Sequence, residues 1–311
     1  MTNLNVVCLA GGVGGAKLAD GLAQLLPPET LTIIVNTGDD FTHLGLTICP
    51  DVDTMLYTLG SVANTETGWG RQGESWRVLD EVSRLGGPDW FRLGDLDLAL
   101  HLTRAQMLHE GASLTAVTRH LSQHLNIQPD ILPMTDQPAP TYIQTPDKLL
   151  PFQTWFVQER WQPVVEKVAL PDDVRATPQV MNRLEHADLV LIAPTNPFVS
   201  VDPILNVYPI REMVMDLPQA VVAVTPIIGE TAVKGPAAKM MGELGMAVSA
   251  EAVARYYGDL LDGFVCDDAD ADPVNLPETA VFRTDTLMKN SHDRLRVAEA
   301  VMSFARQLIA G

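Results

Sequence analysis

The chain has 311 residues, 46% of them hydrophobic and 19% charged, with a formal net charge of −18. Such a length and mixture describe a globular protein with a sizeable core, in one large domain or two smaller ones. The negative balance argues against nucleic acid or an anionic membrane as a general partner, so an anionic ligand must be held by local donors or a metal ion.

The apolar run Val6-Val7-Cys8-Leu9 reads as a strand that empties into Gly11, Gly12, Gly14 and Gly15, then into a helical run carrying Lys17. Glycines between a strand and a helix leave backbone N–H groups uncovered at a helix N-terminus, where the dipole favours an anion. The loop is not a dinucleotide fingerprint, because Lys17 stands where the third glycine belongs. Nor is it a P-loop, because Ala16 precedes Lys17 and Leu18 follows it. A tight turn without a ligand is the plain alternative; the glycine density together with Lys17 favours the anion site. A second strand, Leu31 to Val35, ends in Asn36-Thr37-Gly38-Asp39-Asp40, with Asp51 and Asp53 close behind. A phosphate cradle facing carboxylates makes sense chiefly with a divalent cation between them, which points to a nucleotide diphosphate plus a metal. The candidate ligands are Asp39, Asp40, Asp51 and Asp53; adjacent Asp39 and Asp40 cannot both face one ion unless the loop turns, and either Asp51 or Asp53 could equally cap the helix they begin.

Residues 51–59 read as a helix after Pro50, and 60–73 as an exposed polar loop with Trp69 between glycines. Helical spacing returns over 74–85, 95–109 and 113–125, with Ser113 as an N-cap. On the second of these helices Asp97, His101 and Arg104 fall on one stripe behind Asp95, a grouping expected to meet substrate. Between about 130 and 175, short alternating runs predict a small mixed sheet inserted into the main fold. The parallel pattern resumes with a strand over 187–193 ending in Pro194-Thr195-Asn196-Pro197, another over 220–224 ending in Thr225-Pro226-Ile227-Ile228-Gly229, and a third over 263–266. A final amphipathic helix covers 292–309. The expected fold is α/β: a Rossmann-like, largely parallel sheet flanked by helices, in a single domain over 1–311 that carries the insert. Ligands bind outside the carboxyl ends of such strands, where the glycine loop and the segments after residues 35, 193 and 224 all fall. Asn196, between two prolines, reads a base edge or is simple turn chemistry. Lys234 offers a second cation, and Trp69 and Trp155 stack on a flat ring or belong to the core. The cysteines Cys8, Cys49 and Cys266 share no metal-ligand spacing and read as free thiols of a reducing compartment. No export signal or membrane-length apolar run is visible, so a cytoplasmic protein is expected.

The segments LAGGVGGAK, NTGDD, ICPDVDTMLYTLG, GWG, FRLGDLDLALHLTR, ILPMTD, PTNPFVSVDPIL, TPIIG and KGPAAKMM occur in order from residue 6 to about residue 290. Together they resemble the 2-phospho-L-lactate transferase family (CofD, called FbiA in actinobacteria). The resemblance implies transfer of a phospholactyl or phosphoenolpyruvyl group from a guanosine diphosphate conjugate to the deazaflavin Fo. The products would be GMP and the core of coenzyme F-420, with Mg²⁺ required and a homodimer usual. It implies that Asp53 is the aspartate associated with Fo and metal and that Arg92 lies near Fo. Gly11 to Gly15 would lie near the donor phosphates, and Thr195-Asn196-Pro197 near the guanosine. One departure stands out: Leu96 occupies the place of the family's usual arginine, leaving Arg92 or Arg104 to supply that charge. The expected mechanism is in-line transfer. Asp53 with Asp40 or Asp51 holds the ion, the glycine loop and Lys17 hold the donor, and Asp39 or Asp40 takes the hydroxyl proton. Two rivals are a non-catalytic nucleotide-sugar-binding regulator resembling YvcK and a nicotinamide-dependent dehydrogenase. The PDVDT and GDLDLALHLTR segments weigh against the first, the missing third glycine against the second.

Overall fold

The computed structural model describes residues 4–229, 231–232, 235–270 and 273–310. Strand β1 (Val6–Ala10) is buried along its whole length, and its side chains part by strict alternation. Val7 and Leu9 enter one apolar cluster, while Val6, Cys8 and Ala10 enter another on the opposite face. A strand covered on both faces has no polar side to show, which is why it reads as a continuous apolar run.

Helix α1 (Gly12–Leu25) follows, then β2 (Leu31–Val35), the hairpin of β3 (Phe41–His43) and β4 (Leu46–Ile48), and α2 (Pro50–Leu59). Next come α3 (Arg77–Arg84), α4 (Asp95–His109) and α5 (Leu114–His124), the last capped by the Ser113 hydroxyl as expected. Strand β5 (Asp130–Pro133) precedes a three-stranded antiparallel sheet of β6 (Tyr142–Gln144), β7 (Leu149–Pro151) and β8 (Lys167–Ala169). The chain returns through α6 (Pro178–Glu185) to β9 (Leu189–Ile192), then α7 (Asp202–Asn206), α8 (Ile210–Asp216) and β10 (Ala220–Val224). A short ribbon of β11 (Ile227–Ile228) and β12 (Thr231–Ala232) leads to α9 (Ala237–Glu243) and α10 (Ala250–Tyr257). Strands β13 (Gly263–Asp267) and β14 (Ala280–Thr284) and helix α11 (Ser291–Ala310) complete the chain.

Among the described residues the main sheet has seven strands in the order β14-β13-β10-β9-β1-β2-β5. Every pairing in it is parallel. From β1 the chain steps outward to β2 on one side and later fills the other side from β9. The crevice above β1 and β9 is therefore the point where the order reverses. Helix α11 closes one face by lying against α1, where a Cβ on Gly21 would stand 2.1 Å from the Arg294 carbonyl oxygen. The two helices approach at backbone distance there, and only glycine permits it.

Two boundaries differ from the sequence reading. Residues 130–133 are the outer strand of the main sheet, paired with β2, so the small sheet begins only at Tyr142. The run 152–157 is a helical turn over Thr154–Gln158 rather than a strand, with Trp155 inside the core. Its alternation of apolar and polar residues reflects a chain crossing from core to surface, not a pleat.

Candidate active site

The glycine loop is shaped by contact with the loop after β9. A Cβ on Gly14 would lie 2.1 Å from the Pro194 carbonyl oxygen, and one on Gly11 2.6 Å from Asp51 Oδ2. Gly12 has φ +58°, the left-handed region that other residues avoid. The Thr195 hydroxyl donates to the Gly11 carbonyl at 2.7 Å, locking the two loops of the switch point together. The predicted neighbours Gly11, Gly12, Gly14, Gly15 and Thr195 are thus one structure.

Beneath them stands a buried polar knot. The Asn36 amide, fully enclosed at the end of β2, donates to Asp51 Oδ2 at 2.8 Å, Asp39 Oδ1 at 3.1 Å and the Val199 carbonyl at 3.1 Å. Asp39 Oδ2 also accepts from Gln153 at 3.2 Å, and the Gly12 N–H donates to Asp51. Burial, and then the charge of Asp51, push the Asp39 carboxyl well above the usual carboxylate range. Burial raises Asp51 to about 6, and it raises Asp40 as well, with Asp53 and Asp51 adding to the effect on Asp40. Carboxyls held this way gain from a nearby cation or proton.

Asp53 belongs to a different network. Its carboxylate takes both guanidinium ends of Arg104, Nη1 at 3.1 Å and Nη2 closer still. Arg104 is fully buried; burial opposes its charge, but Asp53, Cys49 and Asp40 together outweigh that and drive its pKa up. Arg104 Nη1 also lies 3.1 Å from His101 Nδ1. Donation there leaves the ring proton on Nε2, which faces Asp97 Oδ1 at 3.3 Å. Asp97 in turn accepts from the Tyr57 hydroxyl. Asp97, His101 and Arg104 do fall on one stripe of α4, and that stripe binds α2 instead of facing open solvent.

Several of the predicted site residues also meet partners that the sequence did not announce. Both Asp53 oxygens accept from Arg104, so the buried ion pair already satisfies much of the carboxylate expected beside Asp40 and Asp51 at the metal. Among the described residues no three His, Cys, Asp or Glu side chains are placed to hold a metal ion by themselves. Arg104 cannot reach an incoming phosphate in place of the missing arginine, and Leu96 itself points outward. Asp95 accepts from the Ser75 hydroxyl and the Val78 N–H, holding the start of α3. The Lys17 ammonium donates to the Met288 carbonyl at 2.7 Å, tying α1 to the segment before α11. Asn196 accepts from the Phe198 N–H at 3.0 Å and so serves the turn, while its amide donates to Met240 Sδ at 3.4 Å. Arg92 lies over the Trp76 ring at 4.4 Å, beside Trp69. Trp155 is core, its indole N–H satisfied by Pro163. Lys234 lies outside the described residues.

Sequence reasoning missed three members of the site. Tyr57 is four residues past Asp53 on the same helix, a spacing that would have revealed it. Cys49, whose thiol bonds to Asp40, sits at the α2 cap position, and in the sequence it reads only as a free thiol. Gln153 stands at the start of the helical turn that follows β7 and carries no local signal.

Fold and crevice together define a Rossmann-like α/β protein whose glycine loop faces a bank of buried carboxyls at the switch point. A family model described as 2-phospho-L-lactate transferase CofD matches residues 6–307. The chain belongs to that family, and it is an enzyme, a transferase of the 2-phospho-L-lactate transferase type. It is 42% identical to a phosphoenolpyruvate transferase of Thermobifida fusca (strain YX), over 87% of this chain and 88% of that one. It is 39% identical to a phosphoenolpyruvate transferase of Kitasatospora aureofaciens, covering 99% of this chain and 100% of the other. A 2-phospho-L-lactate transferase of Methanosarcina mazei is 37% identical, over 96% of this chain and 99% of that protein. A crystal structure of a UPF0052-family protein from Bacillus halodurans superposes with a TM-score of 0.63, over 97% of this chain and 99% of that one. At 17% identity that likeness bears on the fold alone. No helix among the described residues is long and apolar enough to cross a membrane.

Proposed function

We propose that this enzyme transfers a three-carbon phosphoacid group, phosphoenolpyruvyl or 2-phospholactyl, from a guanosine diphosphate conjugate to the ribityl hydroxyl of the deazaflavin Fo, releasing GMP. The observation that carries the reading is the switch-point crevice, where the glycine loop at the start of α1 stands against the Asn36-bridged acids. In-line transfer asks mainly for positioning and charge neutralisation, and this crevice is built for both.

In this reading the amides of Gly11 to Gly15 hold the donor diphosphate at the start of α1. Asp40 keeps one buried oxygen without a partner, and Asp51 lies within range of its charge. Those two would hold a Mg²⁺ ion, which binds through one or two carboxylates with substrate phosphates rather than needing a three-acid cage. When bound, the ion neutralises charge on the diphosphate and on the leaving GMP. Asp39, fixed by Asn36 and Gln153, takes the proton of the attacking hydroxyl. Asp53, neutralised by Arg104, holds α2 and α4 in register so that Asp51 keeps its place. Arg92, Trp76 and Trp69 form the wall against which a flat acceptor ring stacks. The three free, buried cysteines suit a cytoplasmic enzyme, and the family resemblance favours a homodimer.

The test is to incubate the purified protein with Fo, Mg²⁺ and each guanosine conjugate in turn, separating products by chromatography. Formation of GMP and a phosphodiester of Fo with at least one donor, abolished by a chelator and restored by Mg²⁺, is expected. Tight donor binding without product from either conjugate would refute the transferase chemistry proposed here and favour a binding role.

A further inference from the structure

A second cavity, of about 360 Å³, opens where α7, α8 and α10 meet. It lies outside the site described above. Its wall includes Leu260, just before the amino end of β13, whereas the glycine loop sits at the carboxyl edge of the sheet. Asp202, Asn206, Arg211, Tyr256 and Tyr257 bring polar side chains to it. Asp202, the first residue of α7, accepts from the Tyr256 hydroxyl of α10 through one oxygen. Its other oxygen faces Arg211 Nη2 of α8 at 3.7 Å, wider than a direct hydrogen bond.

Those distances leave both charges incompletely satisfied. The Asp202 side chain is 19% exposed and that of Arg211 45%, so the carboxylate is the more desolvated partner. Burial lifts the Asp202 carboxyl to about 6 even though Tyr256 and Arg211 pull the other way. A cation placed beside Asp202 would restore what burial removes. Two tyrosines line the cavity beside it, Tyr256 packing edge-on to Tyr257 at 6.1 Å. Ring faces next to a carboxylate are a known environment for an ammonium group. Arg211, with five N–H donors in a planar fork, meets a carboxylate in two-point fashion and is far from saturated by one long contact.

We infer that this cavity binds a zwitterionic amino acid, its ammonium at Asp202 among the tyrosine rings and its carboxylate on the Arg211 fork. A simple amine would leave the guanidinium unanswered, and a simple acid would sit against Asp202, so the site selects a ligand carrying both charges at α-amino acid separation. The inference is independent of the transfer reaction proposed above.

The experiment is calorimetric titration of the full-length protein with glycine, L-alanine, L-glutamate and L-lysine, with ethylamine and acetate as single-charge controls. At least one amino acid should bind with a Kd of about 1 mM or tighter, and neither control should match it. Asp202→Asn and Arg211→Gln should each weaken that binding about tenfold or more. Tyr256→Phe, which keeps the ring, should weaken it less. Thermal melts establish that each variant is folded, and ligand-observed NMR provides a second measure on any variant of low yield. Silence from all four amino acids at about 10 mM would overturn the inference, as would binding unchanged in both charge variants or acetate binding as well as any amino acid.

Discussion

Removing the carboxylate of Asp53 is expected to damage the fold before the chemistry can be measured. The pair it makes with Arg104 is almost fully enclosed, with side chains 6% and 1% exposed. Asp53→Ala leaves the guanidinium buried without its counter-ion, and breaking such a pair from one side costs about 3–5 kcal/mol. Against a total stability of about 5–15 kcal/mol that is a large share. At about 2–4 °C per kcal/mol for a large domain, the melting temperature should fall by about 6–20 °C. Asp53→Leu combined with Arg104→Met removes both charges and should return to within about 2 kcal/mol of the parent, while remaining inactive if α2 no longer holds its register. Urea unfolding of the parent, both single variants and the double variant measures this directly. The exposed pair Arg84–Glu81 provides the contrast: Glu81→Ala should be silent in the same experiment. If Asp53→Ala loses less than about 1 kcal/mol, or the double variant is no better than the single, the reasoning from burial is wrong.

Gly14→Ala should abolish donor binding and lower stability by about 2 kcal/mol or more, because the added methyl meets the Pro194 carbonyl oxygen at 2.1 Å; calorimetry with GDP that finds normal affinity would refute the interlocked loops. Glu74→Ala should destabilise by about 1–2 kcal/mol, since Glu74 accepts from the N–H groups of Leu96 and Asp97 and so caps α4 from outside; denaturant titration decides it. Asp202 has its carboxyl raised to about 6 in the folded state, from an ordinary value of 3.8. A raised acid favours the folded state below its unfolded pKa, and that contribution, up to about 3 kcal/mol, disappears as pH climbs through about 6. Asp202→Asn should therefore flatten the stability profile between pH 4 and 7, as read from melting temperatures across that range. A parent slope left unchanged in the variant would contradict it.

What the sequence determined by itself follows from local rules. The run Val6 to Ala10 empties into glycines before a helix, and the near-continuous apolar runs over 31–35, 189–192 and 220–224 serve a sheet covered on both faces; these patterns need only neighbours a few residues away. They were enough for the parallel α/β architecture, for the crevice at the carboxyl edge and for the motifs that place the chain in its family. The roles of the charged residues were decided only by tertiary structure. Asp51 and Asp53 are two residues apart on one helix, so they point in different directions: one toward Asn36 under the glycine loop, the other toward Arg104 on α4. Arg104 reads as a phosphate donor until α4 is laid against α2, where it becomes a buried counter-ion. Lys17 finds the carbonyl of Met288, 271 residues along the chain. A charge is defined by what surrounds it at a few ångströms, and those surroundings are assembled from segments that share no local pattern.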